Sequence, residues 1–171
     1  MPQRANQWQQ WMRRHGRGML LYARQFSLNA EDAEDAVHDG FVSFWEKFGQ
    51  NGDPAILYAC VRNRAMDIRR SECRRSRRDK ESVFAPALVP APSVPVFEAN
   101  LETEEKAAEI TAALELLDLS QREVLTLKIW AELTFEQIGN ILNINANTAA
   151  SRYRYALQHL RCKLRREVFY E

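Results

Sequence analysis

Residues 133–164 read LTFEQIGNILNINANTAASRYRYALQHLRCKL, and this stretch decides the fold class. It opens on Thr134-Phe-Glu-Gln137, a capping box. The threonine hydroxyl can accept from an amide one turn on while the glutamine reaches back to the cap. Leu133 and Ile138 supply the accompanying hydrophobic staple. A short helix is predicted to end near Leu142, and Asn143-Ile144-Asn145 reads as a tight turn. A longer helix follows, with Ala149, Tyr153, Ala156, Leu157, Leu160 and Leu164 on one face. Two helices joined by so short a turn, the second longer and basic, make the pattern of a helix-turn-helix. Just upstream, Ser120-Gln-Arg-Glu123 reads as another capping box, with Leu119 and Val124 as its staple.

Moving toward the N-terminus, four of the six prolines fall in Phe84–Val96, FAPALVPAPSVPV. Proline fixes its own φ and lacks an amide donor, so this segment is read as an extended, semi-rigid linker. It divides the 171 residues into domains at 1–83 and 99–171, with 84–98 between them. The first domain also reads as helical. Helix one is predicted from about Trp8 to Phe26. Helix two starts after Asn29, a good N-cap, with Glu31 and Asp32 in its first turn. Ala33, Val37, Phe41, Phe44, Trp45 and Phe48 share one of its faces. Helix three starts at Asp53-Pro54, a cap followed by proline at the first helical position. Ile56, Leu57, Cys60, Val61 and Ile68 form its apolar side. The fold class is therefore all-α: two small helical domains joined by a Pro-rich linker, the second containing a helix-turn-helix.

A net charge of +1 conceals a strong segregation. Residues 62–80 hold nine Lys/Arg against three acids, residues 81–118 one base against eight acids, and residues 119–171 eight bases against five acids. Basic blocks of this kind point to nucleic acid. No apolar run approaches the ~20 residues of a membrane helix, and MPQRANQWQQWMRRHGRG lacks the apolar core of a secretion signal. A soluble, cytoplasmic chain is expected. Cys60, Cys73 and Cys162 are odd in number and far apart, which argues against a disulfide framework. His159 and Cys162 lie one turn apart but lack a second ligand pair, so no metal site, cofactor or catalytic set is expected.

Three polar surfaces remain. On helix two, Asp32, Asp35, Asp39 and Glu46 form an acidic stripe, either a solvated face or a dock for a basic partner. On helix three, Tyr58, Arg62 and Arg69 share a face, and Arg64, Arg70, Arg74, Arg75, Arg77 and Arg78 extend the charge along and past its end. A ring among guanidinium groups suits single-stranded nucleic acid. On the last helix, Asn145, Asn147, Thr148, Ser151, Arg152 and Arg154 occupy the N-terminal part, which enters the major groove in helix-turn-helix proteins.

Taken together, these segments resemble the extracytoplasmic-function group of bacterial RNA polymerase sigma factors. DAEDAVHDGFVSFWEKF (Asp32–Phe48) is similar to that family's polymerase-docking helix. ILYACVRNRAMDIRR (Ile56–Arg70) resembles its segment that opens and reads the minus-ten promoter element. Leu116–Leu164 resembles its fourth domain, which reads the minus-thirty-five element. The resemblance implies polymerase contacts at Asp32, Glu34, Asp35, Asp39, Phe41 and Trp45. It implies minus-ten contacts at Tyr58, Arg62, Asn63, Asp67 and Arg69, with Arg64 and Arg70 beside them. It implies minus-thirty-five contacts at Thr148, Ser151, Arg152 and Arg154, with Asn145 and Asn147 at the helix start. His38, Gly40, Ile56 and Ala150 depart from the family pattern. The partners implied are core RNA polymerase and promoter DNA, duplex and single-stranded. An anti-sigma factor is common in the group, although no residue here identifies one. The function implied is a non-enzymatic factor that initiates transcription. The alternative is a helix-turn-helix regulator acting without polymerase, which leaves helices two and three unexplained.

Overall fold

The computed structural model describes residues 2–26, 29–79 and 112–168. Every regular element among them is helical, and the chain divides into two compact units, Met1–Val94 and Pro95–Glu171. The Pro-rich segment expected at 84–98 lies outside the described residues.

In the first unit, α1 (Pro2–Arg24) leads to α2 (Ala30–Phe48), a single 3-10 turn (Gly49–Asn51) and α3 (Pro54–Asp79). α1 begins six residues before the expected start. Its first turn carries no large apolar residue to announce it, yet Pro2 sits at a tolerated helix-opening position and Gln, Arg and Ala are good helix formers. α2 starts as expected: Asn29 is extended, and its Oδ1 accepts from the Asp32 amide at 2.7 Å. Asp53 opens α3 in the same manner, accepting from the Ala55 amide at 2.8 Å.

The core between these helices is aromatic. Trp8 meets Phe41 edge-on at 4.4 Å and Trp45 at 5.5 Å, while Trp11 lies 5.3 Å from Phe44. Edge-on packing sets the positive ring edge of one residue against the negative face of the next. The buried face of α3 is rotated from the expected one. It consists of Ala55, Leu57, Tyr58, Val61 and Ala65, whereas Ile56 is exposed and Cys60 half-buried. Burial pushes the Cys60 thiol pKa up, and the charge of Lys47 opposes that rise. α3 also stays helical through the whole arginine run to Asp79, instead of ending within it.

In the second unit, a helical stretch at 112–115 precedes α4 (Leu119–Ile129), α5 (Phe135–Leu142) and α6 (Ala146–Val168). Leu114, Leu117, Val124, Leu125, Leu127, Leu133, Ile138, Ala149 and Ala156 form the core. The Thr134 box is present in both directions, with Gln137 N donating to Thr134 Oγ1 at 3.2 Å and Thr134 N to Gln137 Oε1 at 2.9 Å. The box expected at Ser120 is not. Asp118 is the cap, two residues earlier, accepting from the Gln121 amide at 2.9 Å and from the Ser120 hydroxyl at 2.6 Å. An aspartate adds full negative charge at the positive helix end, which a serine cannot. The Ser120 hydrogen bond is the main reason its carboxyl pKa lies below the ordinary range, with Arg152 adding to it. Glu123, expected to close a box with Ser120, is buried. Asn143 takes the left-handed conformation that ends α5, and Asn145 starts α6 by accepting from the Asn147 amide at 2.7 Å. Leu157, expected on the buried face of α6, is 40% exposed.

Candidate docking and nucleic-acid interfaces

α2 divides the residues expected at the polymerase into two groups. Phe41 and Trp45 belong to the core, 1% and 8% exposed, so they support α2 from beneath and do not form its outer surface. Hydrophobic spacing had placed both on the apolar stripe. Asp32 is held at the helix start, where Asn29 Nδ2 donates to its Oδ2 at 2.8 Å. Its negative charge acts on Glu72 of α3, whose carboxyl pKa is raised first by burial and then by Asp32. Glu34 is half-buried, and Asp35, His38, Asp39 and Glu46 are exposed. The outward-facing acidic group is thus Asp35, Asp39 and Glu46.

Asp39 has a partner that spacing could not reveal. Arg64 of α3 donates from Nε to Asp39 Oδ2 at 2.8 Å, 25 residues away in sequence. Both side chains remain about half exposed, at 47% and 45%.

On α3 the expected base-stacking ring is absent from the surface. Tyr58 is fully buried against Tyr22 and His15, and burial pushes its hydroxyl pKa upward. The physical reason is phase: Leu57, Tyr58, Val61 and Ala65 follow helical spacing on one side, and Tyr58 sits at its centre. Arg62 flanks that side, half-buried, with its guanidinium 5.9 Å from the centre of the Phe26 ring. A guanidinium held over an aromatic face is partly oriented before any ligand arrives. Asn63, Arg64, Arg69 and Arg70 are exposed, as are Arg74, Arg75, Arg77 and Arg78. Arg70 reaches Asp67 only at 3.5 Å.

The N-terminal part of α6 presents Asn147, Thr148 and Arg154 to solvent, with Ser151 and Arg152 half-buried. Arg154 Nη2 donates to Ser151 Oγ at 3.3 Å. Arg152 acts electrostatically on Asp118 at the start of α4. Asn145 spends its side-chain carbonyl on the helix cap, and its NH2 group can act only as a donor. Tyr155 is 62% exposed one turn along, a residue the sequence reading did not single out. Among the described residues no group of His, Cys, Asp and Glu is arranged to hold a metal ion.

Residues 11–77 match the sigma-70 region 2 family and residues 113–162 match sigma-70, region 4. The chain belongs to the extracytoplasmic-function group of RNA polymerase sigma factors. Similar relatives include the RNA polymerase sigma factor NccH of Alcaligenes xylosoxydans xylosoxydans, 26% identical over 151 residues. That match covers 84% of this chain and 78% of the relative. The RNA polymerase sigma-E factor of Streptomyces avermitilis is 26% identical over 160 residues, covering 92% and 85%. Among solved structures, CnrH in complex with the cytosolic domain of CnrY has a TM-score of 0.59 at 21% identity. It covers 92% of this chain and 86% of that one. The sigma factor RpoE of Bartonella quintana, in complex with the anti-sigma factor NepR, has a TM-score of 0.61 at 22% identity, covering 92% and 96%. The first unit of this sigma factor is therefore region 2 and the second region 4. It binds core RNA polymerase, recognises promoter DNA and initiates transcription. A regulator that never joins polymerase is not favoured, since such a protein would have no need of region 2.

Proposed function

We propose a residue-level division of labour within this sigma factor. The exposed acids Asp35 and Asp39 on α2 meet a basic surface of core polymerase, with Asp32 and Glu34 at the edge of that contact. Phe41 and Trp45 hold the helix in place from the core. Arg62, Asn63, Arg64, Arg69 and Arg70 on α3 take one strand of the minus-ten element. Asn147, Thr148, Ser151, Arg152 and Arg154 on α6 take the minus-thirty-five duplex, assisted by the Asn145 amide. The observation that carries this reading is that α2 and α3 share one aromatic core while their outward residues have opposite sign: acids on α2, arginines on α3.

With Tyr58 buried, base capture on α3 falls to the arginines, whose planar groups stack on bases as well as meeting phosphates. A few bases held by stacked guanidinium groups, with their phosphates neutralised, offset part of the opening of a short AT-rich stretch. The Pro-rich segment 84–98 is proposed as the tether between domains 1–83 and 99–171, so that once one contact forms the second becomes intramolecular and the pair binds more tightly than either alone. An anti-sigma factor is a proposed further partner, since the solved relatives CnrH and RpoE are each described with a bound partner. The chain is proposed to act in the cytoplasm, beside the polymerase, and to carry no chemistry of its own. Among the described residues no helix is long and apolar enough to cross a membrane.

The test is in vitro transcription on fragmented genomic DNA with mapped starts. Purified chain added to core polymerase should produce a defined set of new starts. Starts no more selective than those of core enzyme alone would refute the reading.

A further inference from the structure

We infer that the Asp39–Arg64 ion pair is an exchangeable latch between the polymerase-facing and DNA-facing sides of region 2. In the free protein, Arg64 neutralises Asp39. On assembly, a basic group of the polymerase takes Asp39, and the Arg64 guanidinium turns to a nucleic-acid phosphate. This rests on the assignment of α2 to polymerase and α3 to DNA made above.

Three observations carry it. The pair joins one residue from each functional face, α2 to α3, so what occupies one face alters the charge offered by the other. The recorded contact is a single one through Nε at 2.8 Å, not the two-pronged geometry that makes an arginine–carboxylate pair strong. Both side chains are about half exposed, so a competing cation or phosphate reaches either of them without opening the core. An exposed pair of this kind is weak, which makes exchange feasible. It is strong enough to change an affinity by about two- to fivefold.

Linkage makes the effect reciprocal. Whatever releases Arg64 for DNA must equally release Asp39 for polymerase. The latch therefore damps binding of nucleic acid by the sigma factor alone and adds cooperativity once core enzyme is present.

The experiment has two arms. In the first, a fluorescein-labelled single-stranded oligonucleotide is titrated with the purified full chain at low salt, without polymerase, and followed by anisotropy. Asp39→Asn should tighten binding about two- to fivefold. The gain should vanish in the Arg64→Gln background. Glu46→Gln, which removes the same charge from the same helix two turns away, should give a smaller gain. In the second arm, Arg64→Gln should bind core polymerase about two- to fivefold more tightly than the unaltered chain. The latch is overturned if the Asp39→Asn gain persists without Arg64, if Glu46→Gln reproduces it, if neither chain binds the oligonucleotide, or if Arg64→Gln leaves polymerase affinity unchanged. Selective transcription starts alongside any of these results would leave the sigma-factor reading standing and remove the latch alone.

Discussion

Gly40 of α2 lies against the backbone of Val61 in α3: a β-carbon at position 40 would stand 2.8 Å from Val61 Cα and 2.9 Å from its N. Glycine inside a helix costs ~1 kcal/mol relative to alanine, and here that cost is offset by the close approach of two helices. Gly40→Ala should therefore destabilise region 2 even though it improves helix propensity. Overpacking against backbone, which cannot rotate away, costs about 1–3 kcal/mol. Urea unfolding should show a lower midpoint for the variant, and a raised midpoint would contradict the packing described.

Tyr58 leads to an expectation opposite to that for a base-stacking ring. Its hydroxyl is buried and meets no hydrogen-bond partner among the described residues. An unpaired buried polar group costs about 1–3 kcal/mol, so Tyr58→Phe should be neutral or stabilising. Tyr58→Ala should lose about 3–5 kcal/mol through the cavity it leaves. Promoter opening by Tyr58→Ala should fail only in proportion to the fraction unfolded. Thermal melts run beside permanganate reactivity of promoter thymines would separate these outcomes. A well-folded Tyr58→Ala protein that cannot open DNA would restore a direct role for the ring.

The two faces of region 2 should fail separately. Asp35→Arg combined with Asp39→Arg should abolish co-purification with core polymerase while leaving the circular dichroism spectrum unchanged, since both side chains are exposed. Arg69→Ala combined with Arg70→Ala should keep polymerase binding and lose thymine reactivity at the promoter. Either pair producing the other's defect would reverse the assignment.

Asp32 of α2 and Glu72 of α3 bring two carboxyl groups of like charge under each other's influence. The Glu72 pKa is raised, first by burial, then by Asp32, with Arg75 opposing. A carboxyl whose folded pKa is raised binds its proton more tightly when folded. Its contribution is therefore present below the ordinary glutamate value and is lost as pH rises through the raised one. Glu72→Gln should accordingly match the unaltered chain near about pH 4 and be more stable near about pH 7. Denaturant midpoints at the two pH values measure this directly, and an equal difference at both would contradict the coupling.

The residues that announced their structure did so through short-range chemistry. Asn29, Asp53-Pro54 and Thr134…Gln137 start helices because their side chains bond amides within one turn, an interaction sequence alone contains. Asp118 and Ser120 are both competent caps two residues apart, and what separated them was charge at the helix end together with burial of Glu123. The rotation of α3 was harder to read. Ile56 is more apolar than Tyr58, so hydrophobicity favours burying it, but Ala65 and the aromatic partners Tyr22 and His15 select the face centred on Tyr58. The Asp39–Arg64 pair depends on how two helices meet, which no spacing within either helix encodes.

The turn that leads into α6 is shaped by an atom that is not there. A β-carbon on Gly139 would lie 2.6 Å from the Ile144 carbonyl oxygen, the residue whose own amide returns to the Gly139 carbonyl at 2.9 Å. Any side chain at 139 must pry those strands of backbone apart and swing α6 about its first residue. Displacement grows along a lever, so Arg154, two turns out, would shift further than Asn147, and both would leave the positions proposed for them on the minus-thirty-five duplex. The sigma factor could then remain well folded and still attached to polymerase while addressing the wrong promoters.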